Sequence, residues 1–86
     1  MSDQTKPHKI LDCIGLYCPE PVYQTRLEID KLGVGQILEG IADDPAAEAD
    51  IKSLVQKLGN CHLLAIRKVA DQMHFVIEKK QEAPKT

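Results

Sequence analysis

Asp43-Asp44-Pro45-Ala46-Ala47-Glu48-Ala49-Asp50-Ile51-Lys52-Ser53-Leu54-Val55-Gln56-Lys57-Leu58-Gly59 is the stretch from which the fold can be read. Ile51, Leu54, Val55 and Leu58 recur at the i, i+3, i+4, i+7 spacing of one helix face, and Ala47 lies one turn earlier. Asp44 supplies a carboxylate at the cap, and Pro45 suits the first helical position, where no N–H is needed. Gly59 is the stop.

Both flanks read as strands. Upstream, Gln36 to Ala42 carries Ile37, Leu38 and Ile41, with Gly40 as an interruption. Downstream, Cys61 to Val69 is rich in Leu and Ile. Asp71-Gln72 marks a turn, after which Met73, Phe75 and Ile77 alternate with His74, Val76 and Glu78. Two such runs joined by a short turn form a hairpin. Further upstream, Lys9 to Cys13 reads as a strand, broken at Gly15. A helix from about residue 20 to 32 follows, with Val22, Ile29 and Leu32 on one face and Gly33 and Gly35 after it.

The order is β-α-β-α-β-β. Right-handed crossovers place both helices on the same side. The prediction is a two-layer α/β (α+β) sandwich: a four-stranded mixed sheet with two helices on one face. Residues 9–80 form the single domain, with loose polar tails over 1–8 and 81–86.

Composition narrows the function. Aromatics are 3% of 86 residues and Trp is absent, so the core is expected from Ile, Leu, Val and Ala. A net charge of -2 with interleaved signs offers no basic stripe, which disfavours direct nucleic-acid binding. No apolar run approaches the roughly 20 residues that span a bilayer, and Met1 to His8 lacks a signal-peptide stretch. The expectation is a cytoplasmic monomer. Three cysteines suggest a reactive thiol sooner than a disulfide framework.

Gly15-Leu16-Tyr17-Cys18-Pro19-Glu20-Pro21 concentrates the chemistry. Gly15 permits a tight turn. Pro19 and Pro21 stiffen the entry to the first helix, which should hold the Cys18 thiol at a fixed, exposed place. A helix N-terminus favours a nearby thiolate. Against that, neither proline has an N–H to offer, and Glu20 adds a like charge. A moderate fall in the thiol pKa suits exchange chemistry, where attack and departure must both be fast. On spacing alone, an inert compact cysteine at a helix start accounts for position 18 equally well.

The segment Leu11-Asp12-Cys13-Ile14-Gly15-Leu16-Tyr17-Cys18-Pro19-Glu20-Pro21-Val22 resembles the signature of the TusA/SirA family of sulfur carriers. Its pattern is Leu-Asp, two residues, Gly-Leu, one residue, Cys-Pro-x-Pro. A second block, Ala42-Asp43-Asp44-Pro45-Ala46 with Asp50-Ile51, and a third, Gly59 with His62-Leu63-Leu64, follow in order. The resemblance spans Ile10 to Lys79. It implies the same βαβαββ sandwich and a sulfurtransferase-type carrier that works with partner enzymes. Cys18 would accept sulfane sulfur as a covalent persulfide, with no other cofactor. The implied donors are a cysteine desulfurase or a rhodanese. The implied acceptor is a DsrE-type complex, leading to tRNA thiolation or sulfur oxidation. Pro19, Glu20, Pro21, Arg26 and Asp44 match motif or partner-docking positions. Read without the resemblance, Arg26 is a solvated helix residue, Asp44 a cap and Asp43 a loop carboxylate. The chain departs from the pattern at Asn60-Cys61, which separates Gly59 from His62, and at Ala49 and Tyr17.

Cys13 is a candidate second thiol. It could resolve a Cys18 persulfide as a disulfide, which defines the alternative function of a thiol-redox or regulatory module. An inward-facing strand residue is the favoured reading, and Cys61 is expected to pack in a strand as well. A metal site from Cys13, Cys18, Cys61 and His62 is disfavoured, because no Cys-x-x-Cys pair exists.

Overall fold

The computed structural model describes residues 7–17 and 20–81. Its elements are β1 (Lys9–Cys13), α1 (Glu20–Lys31), β2 (Ile37–Ala42), α2 (Ala47–Leu58), β3 (Cys61–Val69) and β4 (Gln72–Lys79). The sheet order is β1-β2-β4-β3. β1 runs parallel to β2, and β4 runs antiparallel to both of its neighbours. Ile29 of α1 and Ile51 of α2 share one buried cluster with Cys13, Leu38, Phe75 and Ile77 of the sheet. Both helices therefore cover the same face, and the expected mixed-sheet sandwich is the architecture found. No helix among the described residues is long and apolar enough to cross a membrane.

The core is aliphatic apart from Cys13, Met73 and one aromatic ring. Phe75 is fully buried there. It lies opposite Gly40 in the β2–β4 register, and a Cβ at Gly40 would overlap the Phe75 ring. The glycine that interrupts the β2 pattern is thus the space the aromatic ring fills. In β3 the register shifts between Leu63 and Ala65. This bulge inserts a residue, so Leu63 and Ile66 can both pack against the same core.

Four boundaries differ from expectation. Helix α2 begins at Ala47, with Ala46 as its first flanking residue and no side-chain cap there. Asp44 instead caps a lead-in turn. Its Oδ1 accepts from the Ala46 N–H at 3.1 Å, and its carbonyl accepts from the Ala47 N–H at 2.9 Å. Pro45 sits in that turn rather than in the helix. The hairpin turns at Ala70-Asp71, with Ala70 at φ +55°, and Gln72 already pairs with Val69. The N-terminal tail is shorter than expected, because His8 is tied to β2. Its N–H donates to the Ile37 carbonyl at 2.8 Å, and its Nδ1 accepts from the Ile37 N–H at 3.1 Å. Gln81 is likewise held, by its N–H to the Asn60 carbonyl at 3.2 Å. The remainder of both expected tails lies outside the described residues.

Lys79 closes the core at one end of the sheet. Its side chain is buried, with the residue 1% exposed. Its Nζ donates to the carbonyls of Leu32 at 2.9 Å and Asp30 at 3.4 Å, at the C-terminus of α1. Those carbonyls lack intrahelical partners, and a cation there also meets the negative end of the helix dipole. Hydrogen bonding is what makes burial of the charge tolerable.

Candidate functional site

The C-terminal ends of β1 and β2 and the N-terminal ends of α1 and α2 lie together at the opposite end of the sheet from Lys79, because each helix follows one of two parallel strands. The loop leaving β1 is built from short-range bonds. Asp12 Oδ1 accepts from the Ile14 N–H at 2.9 Å. The Leu16 N–H donates to the Cys13 carbonyl at 3.1 Å. Between them Gly15 adopts φ +84°, in the left-handed region that favours glycine. The Gly15 N–H then reaches across to Asp43 Oδ1 at 3.0 Å, a bond that links residues 28 positions apart.

Cys18 and Pro19 lie outside the described residues, and their flanks are well placed. The Glu20 N–H donates to the Tyr17 carbonyl at 2.8 Å, across the two intervening positions. Tyr17 is 73% exposed, and Glu20 is exposed. Pro21, expected in the docking motif, is instead fully buried. Its ring can support the helix entry from inside but cannot present a docking surface. The carbonyl of Pro21 accepts a 2.6 Å bond from Thr25 Oγ1, a buried i to i−4 bond that ties down the first turn of α1. Sequence reasoning passed over Thr25, since a Thr at a helix-face position carries no distinguishing signal.

Arg26 and Asp44, both expected to meet partners, line separate cavities. Arg26 is exposed and borders a groove of about 480 Å³ between α1 and α2, with Val22, Tyr23, Asp50, Ser53 and Lys57 also on its walls. Asp44 borders a second recess of about 380 Å³, with Asp43, Glu48, Lys68 and Asp71. In that recess Glu48 is paired with Lys68 at 2.7 Å and Lys52 at 3.1 Å. Hydrogen bonds from these ammonium groups, Lys68 first, hold the Glu48 carboxyl below its ordinary range.

Of the other two thiols, Cys13 ends β1 beneath the loop but points into the core, and Cys61 lies at the far end of the sheet. Cys13 is 0% exposed in the core, the place expected of an inward-facing strand residue. Burial pushes its thiol pKa up, and the Asp12 charge adds to the rise. Cys61 starts β3 near Lys79, its cross-strand neighbour, and packs against the core. Burial raises its thiol pKa too, against the opposing charge of Lys79. Only thiolates are good sulfur nucleophiles, so neither environment favours exchange chemistry. His62 stands exposed on β3, and His74 pairs with Glu39 at 2.9 Å between β4 and β2.

Comparison with known proteins agrees with this arrangement. The family model described as Sulfurtransferase TusA matches residues 9–79. A relative from Archaeoglobus fulgidus, which carries the provisional name of sulfur carrier protein, is 49% identical over 86% of this chain and 96% of its own length. The "Sulfur carrier protein TusA" of Pseudomonas putida is 38% identical over 95% of this chain and all of its own. The crystal structure of a SirA-like protein from Desulfitobacterium hafniense shares the fold. Its TM-score is 0.69 at 19% identity, over 85% of this chain and 99% of that one. A family match over almost the whole described domain, together with close relatives covered end to end, leads to one conclusion: this chain belongs to the TusA family.

Proposed function

We propose that the protein is a sulfur carrier whose Cys18 accepts sulfane sulfur as a persulfide and passes it to a second protein. The observation that carries this reading is the family match over residues 9–79, which takes in Cys18-Pro19-Glu20-Pro21. The raised thiol pKa values of buried Cys13 and half-buried Cys61 support it, since Cys18 is the one remaining cysteine of three.

The chemistry is two thiol–persulfide exchanges. The Cys18 thiolate attacks the outer sulfur of a donor cysteine persulfide. A bond forms from Cys18 Sγ to that sulfur, the donor S–S bond breaks, and the donor cysteine leaves as thiolate. An acceptor thiolate then attacks the outer sulfur on Cys18, and Cys18 leaves as thiolate. No net oxidation occurs and no further cofactor takes part. The donor is a cysteine desulfurase or a rhodanese. The acceptor is a DsrE-type sulfurtransferase complex, and the sulfur goes on to tRNA thiolation or sulfur oxidation in the cytoplasm. Glu20, exposed at the start of α1, and Arg26, exposed at its middle, supply charged contacts for docking. The alternative, a Cys13–Cys18 disulfide switch, requires Cys13 to leave the core, and its burial disfavours that.

The test is intact mass after incubation with a cysteine desulfurase and cysteine, without reductant. The wild type should gain one sulfur mass, lost on reduction, and Cys18→Ser should gain none while remaining folded. Absence of the adduct on the wild type with a desulfurase, a rhodanese and polysulfide alike would overturn the reading.

A further inference from the structure

The geometry points to Asp43 as the positioning residue of the carrier loop: its carboxylate holds the segment leading to Cys18 against the β2–α2 connection. The inference rests on the carrier reading. Asp43 and Asp44 are adjacent yet divide their work. Asp44 folds the local turn into α2 through the Ala46 N–H. Asp43 instead accepts from the Gly15 N–H at 3.0 Å, across 28 residues of chain.

Leu16 packs the loop against the core, and the Gly15–Asp43 bond ties it to the β2–α2 connection. The loop's other described bonds are local: Asp12 to Ile14, Leu16 to Cys13 and Glu20 to Tyr17. Local bonds shape a loop but do not fix it relative to the second helix. Gly15 at φ +84° is the pivot, because a glycine in the left-handed region is the least restrained residue in the segment. The Asp43 carboxylate restrains that pivot directly. Cys18 lies three residues further on, and Arg26 and the α1–α2 groove follow on the next element. The direction in which Cys18 meets a partner's persulfide therefore depends on the Gly15–Asp43 bond. Exchange needs near-linear attack on sulfur, so small misplacements matter. A misplacement of about 1 Å can cost on the order of a hundredfold in rate.

Asp43 also carries a negative charge, which opposes a thiolate. Asn at this position keeps an oxygen acceptor and removes the charge, so Asp43→Asn and Asp43→Ala separate the two roles. Steady-state sulfur transfer from a cysteine desulfurase should be measured with the carrier as the varied substrate. For Asp43→Ala, kcat should fall by about tenfold or more, with KM for the carrier little changed. Alkylation of Cys18 by iodoacetamide, mapped by peptide mass, should stay within about twofold, since a small reagent needs no fixed direction of approach. Asp43→Asn should restore most of the kcat. Amide exchange gives a readout independent of sulfur transfer: the Gly15 N–H should be protected in the wild type and in Asp43→Asn, and exposed in Asp43→Ala.

A kcat for Asp43→Ala equal to wild type would overturn the inference and leave the carrier reading intact. So would an unprotected Gly15 amide in the wild type. Loss of kcat in both variants alike would assign the effect to charge, and would overturn it too. A wild type that takes up no sulfur from any donor would overturn both.

Discussion

At one end of the sheet, the chain is held by a buried ammonium; at the other, by carboxylates at the surface. Lys79 Nζ sits in the core and bonds the carbonyls that end α1. The same residue closes the strand ladder, its N–H donating to the Gln36 carbonyl at 3.0 Å and its carbonyl accepting from the Gly35 N–H at 2.7 Å. The loop before Cys18 hangs from Asp12 and Asp43, whose hydrogen bonds are exposed. A buried bond resists water, and losing it strands polar groups at about 1–3 kcal/mol each. An exposed bond exchanges with water and contributes about 0.5–1.5 kcal/mol net. The molecule thus concentrates its stability away from the site, and the site loop keeps its orientation through single surface bonds whose loss costs little of the fold.

The comparison can be broken first at Lys79. Lys79→Ala removes the cap on α1 and opens a cavity, so it should lower stability by about 2–4 kcal/mol in a denaturant titration. The folded fraction should still load one sulfur on Cys18 by intact mass. Loss of loading with little loss of stability would show that the two ends are coupled. A smaller effect belongs to the centre of the sheet. Gly40→Ala sets a methyl group against the Phe75 ring and should cost roughly 1–3 kcal/mol, read as a lower thermal midpoint. A neutral substitution would mean that the ring can move aside, and that the core is looser than its packing suggests.

The smallest effect separates the cysteines. Burial raises the Cys13 and Cys61 thiols in the folded chain. Their neutral forms contribute stability that is fully present below the ordinary thiol pKa of about 8.5, and it is lost as pH rises through the raised folded values. The denaturation midpoint should therefore drift down on the alkaline side, and Cys13→Ala should flatten that drift even if it lowers the curve as a whole. A wild-type curve level well into the alkaline range would mean that the thiols ionise alike folded and unfolded.

Local patterns carried most of the architecture. The four-residue face of α2, the alternation in β4 and the glycine stops are decided by neighbours along the chain, so element order and sandwich class could be read from one sequence. The Cys-Pro-x-Pro segment was visible as consecutive residues, while the role expected of it came from the resemblance and not from its spacing. Boundaries were less legible. Asp44-Pro45 has the composition of a helix start, yet the chain makes an extra turn first, and α2 opens at Ala47. Pro21 belongs to the visible motif, but only packing shows that its ring points inward.

Sequence by itself therefore determined the order of elements and the class of fold, since each depends on spacing within a few residues, and it pointed to Cys18 only through a resemblance. Tertiary structure alone decided the rest. Gly40 proves to be the seat of Phe75, Lys79 a buried cap on α1, Pro21 an inward-packed ring, and Asp43 the tie to Gly15. Each of these roles is set by a partner on a different element, and no spacing along the chain encodes a contact made across the sheet.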